Sequence, residues 1–377
     1  MLDKAYLFSV LKIVEGAAKA DYDKVRSYAE QLCQQLESDG EKEGAKRLRQ
    51  ILGRSKVAKM GLARAAGSPM TQNFPLPVDG DSRLTTADEE RFQPGEVELF
   101  LAHEVDQRVR QFIAYFRAAD RLIANGVGIS PSLLMFGPPG CGKTQLAKFL
   151  ASELDLPLIT ARMDGLISSY LGSTAKNLRL LFEHAMSRPC ILFLDEFDAL
   201  AKMRDDSKEL GELKRVVISL LQNIDAMGRD HVLIAATNHD HLLDAAIWRR
   251  FAYKLQLGEP AAEAREKMVR SFFGSFSTEE LVAAVVSLSE GLTGAQLRQV
   301  ADDCIREAVL AELGSVRLQD AIDAVLAERP KGVEAGASIA ERIRTLRILD
   351  PKTFTQVRLA QIYGISQGQV SKLLKEH

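Results

Sequence analysis

The sequence predicts an α/β protein built on a parallel five-stranded sheet with helices on both faces, with helical segments before and after it. Three observations carry this. Five short apolar runs, residues 133–136, 156–161, 190–194, 232–236 and 253–257, alternate with stretches of helical periodicity, and near-continuous apolar runs are what strands buried on both faces look like. A glycine-rich loop, Gly137-Pro138-Pro139-Gly140-Cys141-Gly142-Lys143-Thr144, follows the first run and opens a helix at Gln145. Two acids, Asp195 and Glu196, end the third run.

Taken in order, the chain starts with helical spacing. Leu7, Val10, Leu11 and Val14 form one stripe, Val25, Tyr28, Ala29, Leu32 and Leu36 a second, and Ala45, Leu48, Ile51 and Leu52 a third that stops at Gly53, which predicts a three-helix module over residues 1–54. Lys12 and Glu15 interrupt what a signal peptide would need as an apolar core, so the start reads as helix rather than leader. Residues 55–95 hold Gly61, Gly67, Pro69, Pro75, Pro77, Gly80, Pro94 and Gly95 without sustained periodicity and read as a linker. The α/β part spans 96–260, helical sequence follows over 261–330, and after the breaker Pro330-Lys331-Gly332 a small helical unit spans 338–377.

Composition bounds the function. At 377 residues with 46% hydrophobic and 27% charged, the chain has material for a large core with attachments, not for wholesale disorder. Lys plus Arg (49) against Asp plus Glu (51) gives no global signature of nucleic-acid binding. Four cysteines lie far apart with no Cys-x-x-Cys, which argues against a zinc site or disulfide framework and for a reducing cytoplasm. No run reaches the roughly eighteen apolar residues of a membrane span, so no membrane partner is expected.

The glycine-rich loop matches G-x-x-x-x-G-K-[ST] at every fixed position. Its glycines let successive N–H groups face phosphate oxygens, and the following helix presents its positive end to them. Lys143 should reach the β- and γ-phosphates of a nucleotide, and the Thr144 hydroxyl should ligate Mg²⁺. Asp195 should hold Mg²⁺ through its water shell, Glu196 is placed as general base, and Asn238, ending the run 232–237, could order the attacking water. These acids emerge where ligands of open α/β sheets bind.

Together these residues resemble the AAA family of the AAA+ ATPases, in the group of proteasomal and spastin-like remodellers, over residues 96–325. The segment Ser168-Ser169-Tyr170-Leu171-Gly172 is similar to the family's pore loop, Leu243 to Phe251 to its arginine-finger segment, and Gly291-Leu292-Thr293-Gly294-Ala295-Gln296-Leu297 to part of its helical lid. The resemblance implies hydrolysis of ATP with Mg²⁺, a homo-oligomer in the form of a hexameric ring, Arg249 and Arg250 donated to a neighbour's site, a lid over 261–330, and Tyr170 and Leu171 gripping a polypeptide. Exposed arginines bonding a sheet edge or acidic neighbours, and a core tyrosine on the helix end, remain alternatives. The sequence departs from the family at Gln296, where an acid is common, and in lacking the usual glycine loop on the adenine side. Val127 and Gly128 are candidates there, and Arg298 is a candidate lid sensor.

Gln356 to Leu374 resembles a helix-turn-helix, with Ala360 at the helix approach, Gly364 for the turn and Ser366 as cap. From Ser338 to His377 seven Lys/Arg stand against three acids, and Gln367, Gln369, Ser371 and Lys372 are candidate contacts to duplex DNA; a protein-docking cap is the other option. The expectation is therefore an ATP-hydrolysing ring that remodels or threads a protein. A separate peptidase is a candidate partner, since no His-Glu-x-x-His occurs. The alternative is a DNA-associated ATPase directed by its tail.

Overall fold

The computed structural model describes residues 29, 32, 33, 36, 44, 45, 76, 77, 85–127, 130–162, 166, 171–198, 210–227, 231–329, 333 and 337–375. The chain divides into two compact units, Met1–Phe74 and Pro75–His377. In the first, the described residues are helical, Ala29, Cys33 and Ala45 are buried, and the Cys33 thiol faces Ala45 O at 4.0 Å. The remainder of the module expected over 1–54 lies outside the described residues.

The second unit is built on a six-stranded sheet of β1 (Ala87–Glu90), β2 (Ser132–Phe136), β3 (Leu158–Ala161), β4 (Ile191–Leu194), β5 (Val232–Thr237) and β6 (Tyr253–Gln256), in the order β1-β3-β4-β5-β2-β6. The five expected strands are parallel. The sixth corrects the sequence reading: β1 falls in the segment taken as linker and pairs antiparallel to β3, Ala87 opposite Ala161 and Glu90 opposite Leu158. Its sequence, Ala-Asp-Glu-Glu, has no apolar alternation; edge pairing, and the bond from Thr86 N–H to Pro77 O at 2.9 Å, make it a strand.

Helices α1 (His103–Arg117), α2 (Ala119–Ala124), α3 (Lys143–Leu154), α4 (Leu171–Met186), α5 (Leu210–Ala226) and the single turn α6 (Ala245–Trp248) belong to this α/β part. β2, β4 and β5 are almost wholly buried, and Phe182, Leu181 and Leu178 of α4 and Leu220 and Val216 of α5 pack with Leu192, Leu194 and Phe197 in one core. Burial on this scale, about 25 cal/mol per Å², fixes the sheet as the rigid frame from whose carboxyl edge the loops project.

Four helices follow, α7 (Ala262–Phe273), α8 (Glu279–Leu288), α9 (Gly294–Leu310) and α10 (Leu318–Glu328), then three more, α11 (Ile339–Leu349), α12 (Gln356–Tyr363) and α13 (Gln367–Lys375). The tail was expected as a unit of its own. Instead Ile343, Leu346, Phe354, Leu359, Tyr363 and Val370 belong to one apolar core with Leu281, Val285, Leu297, Ile322 and Val325 of the preceding helices. Polar bonds seal the joint: Tyr363 Oη donates to Asp323 at 3.0 Å, Arg342 pairs with the same carboxylate, and Ser287 Oγ donates to Asp350 at 2.7 Å. Lid and tail are one folded body.

Candidate nucleotide site

The cradle begins where β2 ends. Gly137 sits at φ +142, and a Cβ there would lie 1.8 Å from Leu257 O, because Leu257 N–H bonds Phe136 O at 2.8 Å and draws the exit of β6 against the loop. Gly140 has φ +77 and faces Thr293, the cap of helix α9, and Ala295 in its first turn; Ala295 N–H donates to Gly140 O at 3.2 Å. Glycine is thus required by close backbone approach as well as by the turn. Pro139, Gly140, Cys141, Gly142, Lys143, Thr144 and Gln145 all line one cleft of 710 Å³.

Lys143 is buried, and its Nζ donates to Gly137 O and Pro138 O, both at 2.8 Å. Burial lowers its pKa, while Cys141, Asp195 and Asp198 oppose the shift. Thr144 Oγ1 donates to Asp195 Oδ2 at 2.7 Å, joining the two expected metal-binding groups. Asp195 Oδ1 accepts from Glu196 N–H at 2.9 Å, and Glu196 adopts φ +49, a left-handed conformation that costs a residue with a Cβ roughly 1–2 kcal/mol. Asn238 completes the cleft: its Oδ1 is buried without a hydrogen-bond partner. Burial raises the pKa of the Cys141 thiol.

Apart from Arg298, the opposite wall is one the sequence did not reveal. Residues 98–102 and Val105 line it together with Met268, Phe272 and Arg298 of the lid. Phe100 meets Phe272 edge-on at 6.2 Å, and the Arg298 guanidinium lies 5.2 Å over the Phe272 ring while pairing with Asp302 at 3.1 Å. Glu98 spans the cleft, its carboxylate accepting from Ser271 Oγ at 2.7 Å and its carbonyl from Gln145 Nε2 at 3.3 Å. Val127, the earlier adenine-side candidate, is 47% exposed and is not among the residues lining this cleft; Gly128 lies outside the described residues. The signal that could have found this wall is the continuous apolar run Leu99-Phe100-Leu101 before α1.

Arg249 and Arg250 stand elsewhere. They line a second depression of 400 Å³ with Ser130, Ser132, Asp225 and His231, at the amino ends of β2 and β5. Ser132 Oγ donates to Arg250 O at 3.2 Å. The Arg250 guanidinium grips Asp225 with Nε and Nη2 at 3.1 and 3.2 Å, the forked geometry of a strong pair. The cradle leaves the carboxyl end of the same β2, whose five residues span about 17 Å at 3.3 Å each. The two arginines therefore do not face their own chain's cleft.

Tyr170 lies outside the described residues, and Leu171 is the first residue of α4. In the tail, Gln367, Gln369 and Lys372 are exposed and Ser371 half-buried. Gln369 Oε1 accepts from Ser366 N–H at 2.8 Å, and Gln369 N–H donates to Ser366 Oγ at 3.2 Å, so this glutamine closes a helix cap. The basic excess expected at the surface is also reduced: Arg342 pairs with Asp323, Arg344 donates to Leu373 O at 2.9 Å, Arg347 to Phe354 O at 3.3 Å, and Arg358 pairs with Glu280 at 3.3 Å. At least four of the seven cations seen in the sequence bind within the fold.

Comparison with known proteins agrees with this geometry. Residues 133–259 match the model of the ATPase family associated with various cellular activities, AAA. An uncharacterized AAA family ATPase, y4kL, of Sinorhizobium fredii is 44% identical over 54% of this chain and 62% of its own length. ATP-dependent zinc metalloprotease FtsH 1 of Symbiobacterium thermophilum is 33% identical over 64% of this chain and 42% of its own. Proteasome-activating nucleotidase 2 of Halobacterium salinarum is 34% identical over 53% and 51%. The chain thus spans less than two thirds of each of these relatives. The crystal structure of the FIGL-1 AAA domain superposes with a TM-score of 0.55 at 21% identity, covering 76% of this chain and 98% of that one, and shares its fold. Residues 133–259, which hold the glycine loop and the paired acids, thus match the AAA family of ATPases, and the fold is that of an AAA domain.

Proposed function

We propose that this chain hydrolyses ATP to ADP and phosphate as a ring of identical subunits, six by family resemblance, and spends the energy on remodelling or threading a polypeptide. The observation that carries this reading is the separation of the cradle from Arg249 and Arg250 by the length of β2. A site built this way is completed only by a neighbour.

The cleft suits a nucleoside triphosphate. A Cβ at Gly137 would collide with Leu257 O and one at Gly140 with Thr293 Oγ1, so only glycine holds the loop in this cradle shape, and the orphaned Asn238 Oδ1 lacks only a donor such as the O–H of an attacking water. Thr144 and Asp195 would hold Mg²⁺; among the described residues no cluster of three His, Cys, Asp or Glu side chains could hold a metal, and Mg²⁺ at NTPase sites takes one or two protein oxygens plus water and phosphate. When bound, the ion neutralises charge shared by the β- and γ-phosphates. Lys143 would leave its carbonyl partners for the phosphates, Glu196 would accept the proton of the water that Asn238 orients, and an arginine from the neighbour would neutralise the developing charge. Such a donor contributes about 10³–10⁵ in rate in GTPases. Arg250 is held by Asp225, which makes Arg249 the better placed of the two.

A polypeptide substrate is supported by the names of relatives, a proteasome-activating nucleotidase and an ATP-dependent metalloprotease. These 377 residues contain no His-Glu-x-x-His of their own, so degradation would need a separate peptidase. No helix of the described residues is long and apolar enough to cross a membrane, in keeping with work in the cytoplasm. The DNA-directed alternative has less behind it, since Gln369 and four of the seven tail cations are engaged internally.

Glu196→Gln with ATP should arrest the ring around its substrate; affinity capture followed by mass spectrometry should return a polypeptide, lost on Tyr170→Ala. Capture of duplex DNA instead, with salt-sensitive binding abolished by Lys372→Glu, would replace this reading with the alternative.

A further inference from the structure

The turn after β4 holds a third acid that the sequence reading passed over. Asp198 is 3% exposed, deeper than Asp195 or Glu196, and a carboxylate that deep must be bonded or it is costly. Its Oδ1 accepts from Thr237 Oγ1 at 3.0 Å and from the Asn238 N–H at 3.3 Å. Thr237 is wholly buried, and its Oγ1 accepts in turn from the His239 N–H at 3.0 Å. One residue earlier, Phe197 N–H donates to Ala236 O at 2.8 Å. The turn carrying the general base is thus sewn, residue by residue, to the end of the strand carrying Asn238.

This stitching has two effects at the cleft. It fixes the backbone of Asn238, whose buried Oδ1 is left without a partner. It also confines Glu196 at φ +49, a conformation that persists only where the surroundings over-determine it. Neither effect touches the glycine loop, whose own anchors are Leu257 and the start of α9.

Resting on the hydrolytic reading above, we propose that Asp198 is a positioning residue: through Thr237 and the Asn238 backbone it sets Asn238 and Glu196 as one unit about the attacking water, with little part in holding the nucleotide. Its removal slows turnover and leaves binding intact.

The test is steady-state ATPase kinetics of the full chain, with titration of a fluorescent ATP analogue. Asp198→Ala should lower kcat by about a hundredfold, the effect of an ångström-scale misplacement, while KM and analogue affinity stay within about twofold. Asp198→Asn, which keeps an acceptor oxygen, should recover most of the rate. In a cycle with Asn238→Ala, adding Asp198→Ala should cost less than it does in the wild-type chain. Thr237→Val keeps the buried volume, so it reports even if Asp198→Ala does not fold; its kcat should drop about tenfold with KM unmoved. An unchanged kcat in Thr237→Val, a loss that falls on KM, equal loss in the Ala and Asn variants, or multiplying effects in the cycle would each overturn the proposal. A wild-type chain that turns over no ATP at any concentration overturns the hydrolytic reading itself, before any variant is compared.

Discussion

Replacing Gly140 by Ala should unseat the lid from the phosphate loop. At φ +77 any L side chain costs about 1–2 kcal/mol. The added Cβ would stand 2.9 Å from Thr293 Oγ1 and 3.1 Å from the Ala295 Cβ, closer than real neighbours tolerate. Thr293 cannot yield freely, because it caps α9 in a reciprocal box with Gln296, and loosening such a cap costs about 1 kcal/mol. Strain and cap loss together come to about 2–3 kcal/mol, which, borne by the lid-seated state that grips nucleotide, weakens binding about 30–150-fold. Titration with a fluorescent ATP analogue measures this directly, with thermal unfolding alongside to show that the sheet stays intact. Affinity within about threefold of wild type would refute the argument that the lid must rest on Gly140.

Three further outcomes are expected. Tyr363→Phe removes the bond to Asp323 and should cost about 1 kcal/mol in urea unfolding, whereas deleting residues 338–377 should melt the lid as well, read as helical dichroism lost beyond that of the deleted segment. Bonds from Thr353 and Ser287 hold the Asp350 carboxyl down at about 2; a depressed folded pKa stabilises above the unfolded value near 4, so this contribution should fade as pH falls from about 4 to about 2, and Ser287→Ala should move the loss to higher pH in an acid titration. Ser271→Ala frees Glu98 from the lid and should weaken analogue binding by about 1 kcal/mol, roughly fivefold.

The parallel strands and the cradle were legible because physical necessity writes them plainly: β2, β4 and β5 are buried on both faces, and a loop wrapping phosphate needs glycine at fixed places. Asp195, Glu196 and Asn238 follow from the rule that strand ends meet the ligand. What was illegible depended on partners distant in sequence. β1 is a strand only by its neighbour β3. Asp198 looks like any acid in a turn until Thr237 and Asn238 are seen to donate to it. The internal pairing of the tail's cations was not legible, because Asp323 and Glu280, which pair with Arg342 and Arg358, belong to a different stretch of chain; hydrophobic spacing likewise marks α11, α12 and α13 as helices without saying that their core is shared with the preceding helices.

The central claim is that one subunit's cleft is finished by another's arginines, and subunit mixing tests it most directly. Glu196→Gln chains retain both arginines but lack the base; Arg249→Ala/Arg250→Ala chains retain the base but lack the donors. Each preparation alone should be nearly inactive, and mixing them should restore ATP turnover at the interfaces where an intact cleft meets intact arginines. Full turnover by the doubly substituted arginine variant alone, at dilutions where it is monomeric, would contradict the account.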